Sequence, residues 1–591
     1  MSPRIQAVIS MLIGAALAGC TAWNAPIEPG LEKTVRERLA RRETFPLAEL
    51  SRKPPKDIEQ SLKEMKDQSL VDLPPPIPPQ KPSGEAPKAA EQSRKMTIAD
   101  VRGAALTNNL DLEIAEIAPS IAATYVTEEE ARFDQLIFSR AKYARQDTPL
   151  NNLDVVQFQT PNPDDPLNQQ IAKLTEIQQL TNYLELDAGV VIPLRTGGTV
   201  TLSAPMDEKE MYKGVPSNQY RSALRFSISQ PLLRGAGVDN NVASIRVARY
   251  EQHATEVTVR LQAIRVLATI DRAYWSVYQA WAELDVRRQQ YEYAKNHLAM
   301  VRKRVAEGLT AAVEVNRADV GLAERLEAVI VAETNLRLKE RQLKLLMNDP
   351  VLKMETPTIV IPTTWPNLVK FEFDRDQLVT KAFAGRLELL ELELKLAADI
   401  TKVDYLRNQT LPSFMLDYSY ASLGRNANSF DGAIGQAFSG DFSDWSVGLR
   451  MEYPVGNELR LARLERAVNE RLQRLTTRQL RELTVRREIY DALDQLQQNW
   501  QRILAARQNV LVAGINYDAE LKQFSEGLRT MTEVFETLTS LGNAQIREVR
   551  AVADYQVSLI DLAFATGTLL GYSQVELGDF GKVRSTGTPA Q

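Results

Sequence analysis

The stretch Glu307-Gly308-Leu309-Thr310-Ala311-Ala312-Val313-Glu314-Val315 returns as Glu526-Gly527-Leu528-Arg529-Thr530-Met531-Thr532-Glu533-Val534, at a constant offset of 219. In both places a long proline-free run with apolar residues at three-four spacing leads into the glycine, and a second such run follows the Glu-Val pair. Glycine permits the left-handed backbone that closes one helix before its antiparallel partner begins. Each copy therefore reads as a tight turn between two helices, and the chain as one unit used twice.

Upstream, Phe226-Ser227-Ile228-Ser229-Gln230-Pro231-Leu232 corresponds to Leu449-Arg450-Met451-Glu452-Tyr453-Pro454-Val455 at an offset of 223, and Leu110-Asp111-Leu112 to Leu387-Glu388-Leu389 at 277. The change of offset puts about 54 extra residues in the first unit, in the 144–218 region. Each unit reads helix, strand, strand, long helix, turn, helix. In the second, residues 374–408 are helical until Leu411-Pro412 stops them. Phe414, Leu416, Tyr418 and Tyr420, then Trp445, Val447, Leu449, Met451 and Tyr453, alternate with small or charged residues. Period two is the strand signature, and these faces suit either a membrane barrel or a half-buried soluble hairpin. The run from 238 to 305 is about 67 residues, a rod on the order of 100 Å. Val315, Leu322, Val329, Leu336 and Leu343 recur every seven residues, as do the small Ala544, Ala551, Ser558 and Ala565. Such seams are equally those of a coiled coil without a channel.

Composition removes most other classes. The 591 residues carry 71 basic and 76 acidic side chains, a net charge of −5, so no basic face invites nucleic acid. Two histidines and one cysteine leave no material for zinc sites, disulfides or Cys/His catalysis; we expect no enzyme, metal or cofactor. His253 and His297 read as isolated surface or groove residues on the long helix. Length alone allows about three or four domains. The 28 glycines and 29 prolines are too few for collagen or global disorder. Past the N-terminus no 18-residue uncharged apolar stretch offers a spanning helix.

The N-terminus reads as an address. Arg4, an apolar run over 5–18 and Leu17-Ala18-Gly19-Cys20 make residues 1–19 a signal peptide. The last four residues resemble the lipobox of bacterial lipoproteins, which makes Cys20 the expected lipidation site. Residues 20–95, punctuated by Pro74, Pro75, Pro76, Pro78 and Pro79, form a proline-rich tether with a short helix within 31–42. The first repeat then covers 96–348, an extended connector 349–373, the second repeat 374–567 and a C-terminal tail 568–591.

Four strands from two hairpins cannot close a barrel, which needs at least eight. Several copies, each donating four strands, would close one; three copies give twelve. Over residues 96–567 the chain resembles the TolC family of outer-membrane efflux and secretion channels. The family signature at each periplasmic turn is Val-Gly-x followed, after four residues, by Asp-Val; both turns quoted above resemble it, with Glu307 and Glu526 in place of Val and Glu314 and Glu533 in place of Asp. The Leu411-Pro412 strand entry and the Tyr453-Pro454-Val455-Gly456 and Gln230-Pro231-Leu232-Leu233-Arg234-Gly235 exits into long helices resemble it too.

The resemblance implies a mixed, mainly α fold: a homotrimer with a twelve-stranded β-barrel in outer-membrane lipid, continued by an α-helical coiled-coil barrel in the periplasm. It implies an exit duct for a tripartite efflux or type I secretion system, docked to a periplasmic adaptor and an inner-membrane RND or ABC-type pump. Carried over residue by residue, Gly308, Leu309, Thr310, Gly527, Leu528 and Thr530 form the adaptor-facing turns. Glu533 and Glu536 fall at the tunnel constriction, where three copies would set six carboxylates around one opening; both could instead simply complement a helix N-terminus. Arg529 matches the family's gate arginine, with Glu314 as its acidic partner. Phe524 in place of a tyrosine and Val313 in place of a threonine weaken that lock.

The extra segment supplies further strand-like runs. With 133–143 and 224–230, the runs 183–194 and 199–204, joined through Thr196-Gly197-Gly198, bring the first half to four. Two are expected in the barrel and the others in an external or rim hairpin, a larger barrel being the alternative. The competing function is a structural or adhesive coiled-coil lipoprotein of the envelope without a channel.

Overall fold

The computed structural model describes residues 29–40, 51, 56–66, 93–157, 170–211 and 219–575. The signal peptide 1–19, Cys20, most of the tether and the tail beyond 575 lie outside the described residues. The chain is mainly helical with a β-sheet portion. It forms two compact units: one from 123–251 and 396–473, the other from 30–122, 252–395 and 474–575.

The first unit holds a six-stranded antiparallel sheet. Its strands are β3 (Leu136–Gln157), β4 (Gln170–Pro193), β5 (Thr199–Met211), β6 (Gln219–Pro231), β9 (Ser413–Asn426) and β10 (Ser443–Glu452), and they pair in that order. β9 and β10 carry the alternation read from Phe414 to Tyr420 and from Trp445 to Met451. The first-half strands are longer than expected, because polar residues such as Arg145, Gln146 and Asp147 continue the ladder instead of ending it.

Two expectations change here. One copy contributes six strands to the sheet, not four, and the β4–β5 hairpin is neither external nor a rim. It lies between β3 and β6, fully paired on both sides. The reason is phase: the apolar and polar faces of the hairpin match those of its neighbours. Ile137, Val190, Leu202, Phe226, Tyr420 and Trp445 stand side by side across all six strands. A slip of one residue would turn the hairpin's apolar set to the opposite face. A ten-residue helix, α9 (Phe430–Ser439), joins β9 to β10 and rests Ala433 on Gly424, where any side chain would collide with the helix backbone.

The second unit is a helical assembly. Most of the two longest helices belongs to it, α5 (Ala243–Ala306) from residue 252 on and α10 (Glu458–Ser525) from 474 on, with 64 and 68 residues in all; α6 (Val313–Met347) and α11 (Met531–Thr566) follow the two turns. The apolar ladder of α5 is buried at Val257, Leu261, Leu267, Ile270, Tyr274 and Val277. On α11 the small ladder Ala544, Ala551, Ser558 and Ala565 is buried throughout, as close helix approach requires. The helix expected over 238–305 starts with one separate turn, Val238–Asn241, and restarts after Val242.

The helix expected over 374–408 is two: α7 (Arg375–Gly385) and α8 (Leu387–Gln409), parted at Arg386 in an extended conformation. Arg386 is buried there and donates to Glu388 at 3.0 Å, Glu488 at 2.5 Å and the Ala565 carbonyl at 3.1 Å. A charge buried this deeply persists because each donor direction finds an acceptor. The shorter helices are α1 (Pro29–Ala40), α2 (Ile58–Lys66), α3 (Ile98–Asn108) and α4 (Leu110–Glu130); α2 and α3 pack Ile58, Leu62, Val101 and Ala105 on the helical core. Within the connector 349–373, β7 (Ile359–Pro362) pairs in parallel with β2 (Ser93–Met96), and β8 (Val369–Lys370) antiparallel with β1 (Lys56–Asp57). Among the described residues no helix is long and apolar enough to cross a membrane.

Candidate functional site: the paired helix turns

Both quoted turns close in the same way. Gly308 has φ +77° and Gly527 φ +81°, and a side chain at either would meet nothing within 4 Å. Glycine is required here by backbone conformation, not by space. The Gly308 amide donates to the Val305 carbonyl at 3.0 Å and the Leu309 amide to Arg304 at 2.9 Å. Gly527 and Leu528 repeat the pair onto Phe524 and Gln523, both at 3.0 Å. These bonds satisfy the last carbonyls of α5 and α10 in the Schellman pattern. Each turn then presents its leucine outward: Leu309 is 64 % exposed and Leu528 75 %.

The two turns are tied to each other by a residue that sequence reasoning missed. The Arg304 guanidinium donates to the Ser525 carbonyl at 2.9 Å and to the Thr310 hydroxyl at 3.3 Å, and lies 5.5 Å from the centre of the Phe524 ring. Phe524 is buried there, while Val313 stays half exposed. Nothing in the local sequence separates Arg304 from its neighbours Arg302 and Lys303; only the packing does.

Thr530 and Glu533 form a capping box at the start of α11. The Thr530 amide donates to Glu533 Oε2 at 2.7 Å, and the Thr530 hydroxyl lies 3.1 Å from the same oxygen. The other carboxylate oxygen accepts from Arg529 at 3.0 Å. The backbone hydrogen bond from Thr530, then its hydroxyl and Arg529, hold the Glu533 carboxyl below the usual range. Glu536, one turn on, is exposed. The structure does not bring Arg529 and Glu314 together as expected. Arg529 reaches Glu533, Gln523 and Glu520 on its own hairpin. Glu314 is buried, accepts from Arg317 at 2.5 Å, and accepts from the Met531 amide at 3.3 Å. It thereby caps α11 from the other hairpin, and a capping carboxylate faces the positive helix end.

Behind the turns the four helices share a small core of Leu298, Val301, Ala318, Phe524, Met531, Val534, Phe535 and Leu538. Gly321 lets α6 approach α11 so closely that a methyl there would sit 2.7 Å from the Phe535 ring. Arg325 lies over that ring at 4.7 Å and donates to the carbonyls of Gly321 and Phe535 and to the Thr539 hydroxyl. Beside these residues opens a groove of about 620 Å³ lined by Val313, Arg317, Val320, Thr532, Glu536 and Thr539. His297 belongs to the core and not to the surface or a groove, as had been expected. It is 4 % exposed, with Nε2 2.7 Å from the Tyr517 hydroxyl. Burial, with Arg325 nearby, lowers its pKa, and burial pushes the Tyr517 hydroxyl up to about 12. His253 is partly exposed and pairs with Glu256.

Comparison with known proteins identifies the family and the fold. The model of the family described as outer membrane efflux protein matches residues 199–349 and 378–568. No curated protein sequence matches the chain closely enough to count as a relative. Three solved structures share the fold at low identity. The CmeC outer membrane channel of Campylobacter jejuni is 14 % identical, with a TM-score of 0.57 over 85 % of this chain and 94 % of that one. CusC, described with conformational changes accompanying folding and transmembrane channel formation, is 15 % identical, with 0.56 over 84 % and 99 %. VceC, an outer membrane protein of Vibrio cholerae, is 14 % identical, with 0.54 over 80 % and 96 %.

Proposed function

The chain belongs to the outer membrane efflux protein family, an outer-membrane exit for efflux, and we propose that three copies close into one hollow duct anchored through a lipidated Cys20. In this reading the sheet of each copy is one arc of a wall in outer-membrane lipid, and the long helices form the periplasmic tube. A periplasmic adaptor, linked to an inner-membrane RND or ABC-type pump, docks on the turns at Gly308, Leu309, Thr310, Gly527, Leu528 and Thr530. Leu309 and Leu528 supply the apolar contacts and the groove beside Glu536 the polar ones. The single observation that carries the reading is the sheet: one face carries the exposed Ile137, Tyr143, Leu202, Trp445, Val447 and Leu449, the other is mainly polar, and among the described residues neither outer edge, β3 nor β10, has a strand partner.

Glu533 and Glu536 of three copies would ring the narrow end of the tube and favour cations through their summed potential. Because Glu533 is engaged by Thr530 and Arg529 within each copy, Glu536 carries more of that field. The gate contact of Arg529 is accordingly Glu533, with Glu314 serving as a cap. Replacing Leu309 and Leu528 together by Glu is expected to abolish export while leaving trimers intact on native gels. Export at the normal rate by such trimers contradicts docking at the turns.

A further inference from the structure

The inserted hairpin is built as wall. On the polar side, Phe138, Gly189, Ser203, Arg225, Ala421 and Asp444 stand in one row across the six strands; on the other side, Val200, Ile228, Tyr418 and Val447 continue a row that starts at Ile192. The hairpin thus keeps both faces in phase with the strands on either side of it. Its tight turn is held at the end of β6. The Thr196 hydroxyl donates to Gln230 Oε1 at 2.9 Å, and the Thr196 carbonyl accepts from Gln230 at 3.1 Å and from the Gly237 amide at 3.2 Å. Gly197, at φ +93°, packs so closely on Gly235 and Asn241 that no side chain fits. At the opposite end β3 and β4 run on well past β5 and β6. Short turns at one end and longer connections at the other are the habit of outer-membrane barrels.

The sheet is also sheared as a barrel must be. The row through Leu136, Val191, Thr201, Ser227, Ser419 and Ser446 begins at the first residue of β3 yet meets β10 six residues before its end at Glu452. At about 3.3 Å per residue and about 4.8 Å between strands, that stagger is a tilt of about 40°, inside the roughly 35–45° of closed barrels. Strand directions alternate, so β3 and β10 run antiparallel and an even count lets like copies join head to tail. Both edges match in kind. β3 shows Ile137 and Tyr143 on the apolar side and Arg140 and Lys142 on the polar side; β10 shows Trp445, Val447 and Leu449 on the former and Asp444 and Glu452 on the latter.

Resting on the channel reading above, we propose that the β10 edge receives β3 of a second copy and that each copy donates six strands, so the membrane wall of three copies has eighteen strands. Barrel diameter grows roughly in proportion to strand number, so this pore is about 1.5 times as wide as a twelve-stranded one. The membrane segment is then a wide aqueous passage lined by charges of both signs, and it admits bulky cargo whatever its charge. Size and charge are sorted at the helix tips.

The test places single cysteines in the full chain, reconstituted in vesicles containing brominated phospholipid, with the unsubstituted chain as background for Cys20. Leu186→Cys and Leu202→Cys probe the apolar side of the hairpin, Thr201→Cys and Ser203→Cys its polar side. Val447→Cys and Ser419→Cys are the corresponding controls on β10 and β9. A bimane fluorophore at 186, 202 and 447 should lose its emission to the brominated lipid. Positions 201, 203 and 419 should stay bright and be blocked beforehand by a membrane-impermeant sulfonated maleimide. If the controls alternate while all four hairpin positions are blocked from water, the hairpin stands outside the wall and the six-strand proposal is overturned. If the controls themselves fail to alternate, the channel reading falls and this proposal with it.

Discussion

Arg325 and His297 show how much of the tip rests on polar residues inside a helical seam. Arg325 joins α6 to α11 through three acceptors and a ring face, so Arg325→Met should cost about 2 kcal/mol, the scale of a charge-assisted buried hydrogen bond. The expected reading is faster hydrogen exchange over 316–325 and 532–540, with no change in the sheet. His297 makes a second prediction. Its folded pKa lies below its unfolded value of about 6.5, so the unfolded chain binds the proton more readily and the tip loses stability as pH falls through and below about 6.5. Tyr517, hydrogen-bonded to it, and the nearby Arg325 are the groups that act on it, and Tyr517 stays protonated throughout this range. The open fraction over 290–301, obtained from exchange corrected for its base-catalysed intrinsic rate, should therefore rise between pH 7.5 and 5.5, and His297→Gln should flatten that rise. An equal rise in the variant contradicts the assignment. Glycines 308 and 527 were legible because a left-handed cap has few alternatives. Arg304, Arg325 and His297 were not, since a heptad pattern shows which positions are buried but not which polar side chain has found partners there.

At the scale of elements, strands and helices followed from periodicity, while neighbours did not. Alternation over 183–194 and 199–204 identified a hairpin and its Gly197-Gly198 turn correctly. It says nothing about which strands flank that hairpin, because every amphipathic strand shows the same two faces. Membership in the sheet is decided by close contacts such as Gly189, where a methyl would sit 2.8 Å from the Phe138 ring and 2.4 Å from the Leu202 carbonyl. Gly189→Val should push β3, β4 and β5 apart, at about 1–3 kcal/mol for an overpacked site. The check is a lower temperature at which the folded, fast-migrating band converts on unheated gels. An unchanged transition argues that the hairpin is loosely held. The break at Arg386 escaped periodicity for a related reason: α7 and α8 continue one another's pattern, and only the buried ion pairs with Glu388 and Glu488 mark the bend. At the tips, Glu536→Ala should lower cation selectivity in single-channel recording more than Glu533→Ala. The reverse order would assign the field to Glu533.

For the whole molecule, the described residues of one copy leave both outer edges of the sheet, β3 and β10, without a strand partner, and Ile137, Trp445, Val447 and Leu449 exposed on its apolar face. Such edges template further pairing unless closure removes them. In the proposed assembly, outer-membrane lipid would cover the face and sister copies the edges. The most direct test is electron cryo-microscopy of the purified full chain in lipid nanodiscs. The account predicts a ring of three copies around a continuous lumen, with β3 of each copy against β10 of the next. Single copies with both edges bare, or a solid bundle of helices without a lumen, would contradict it.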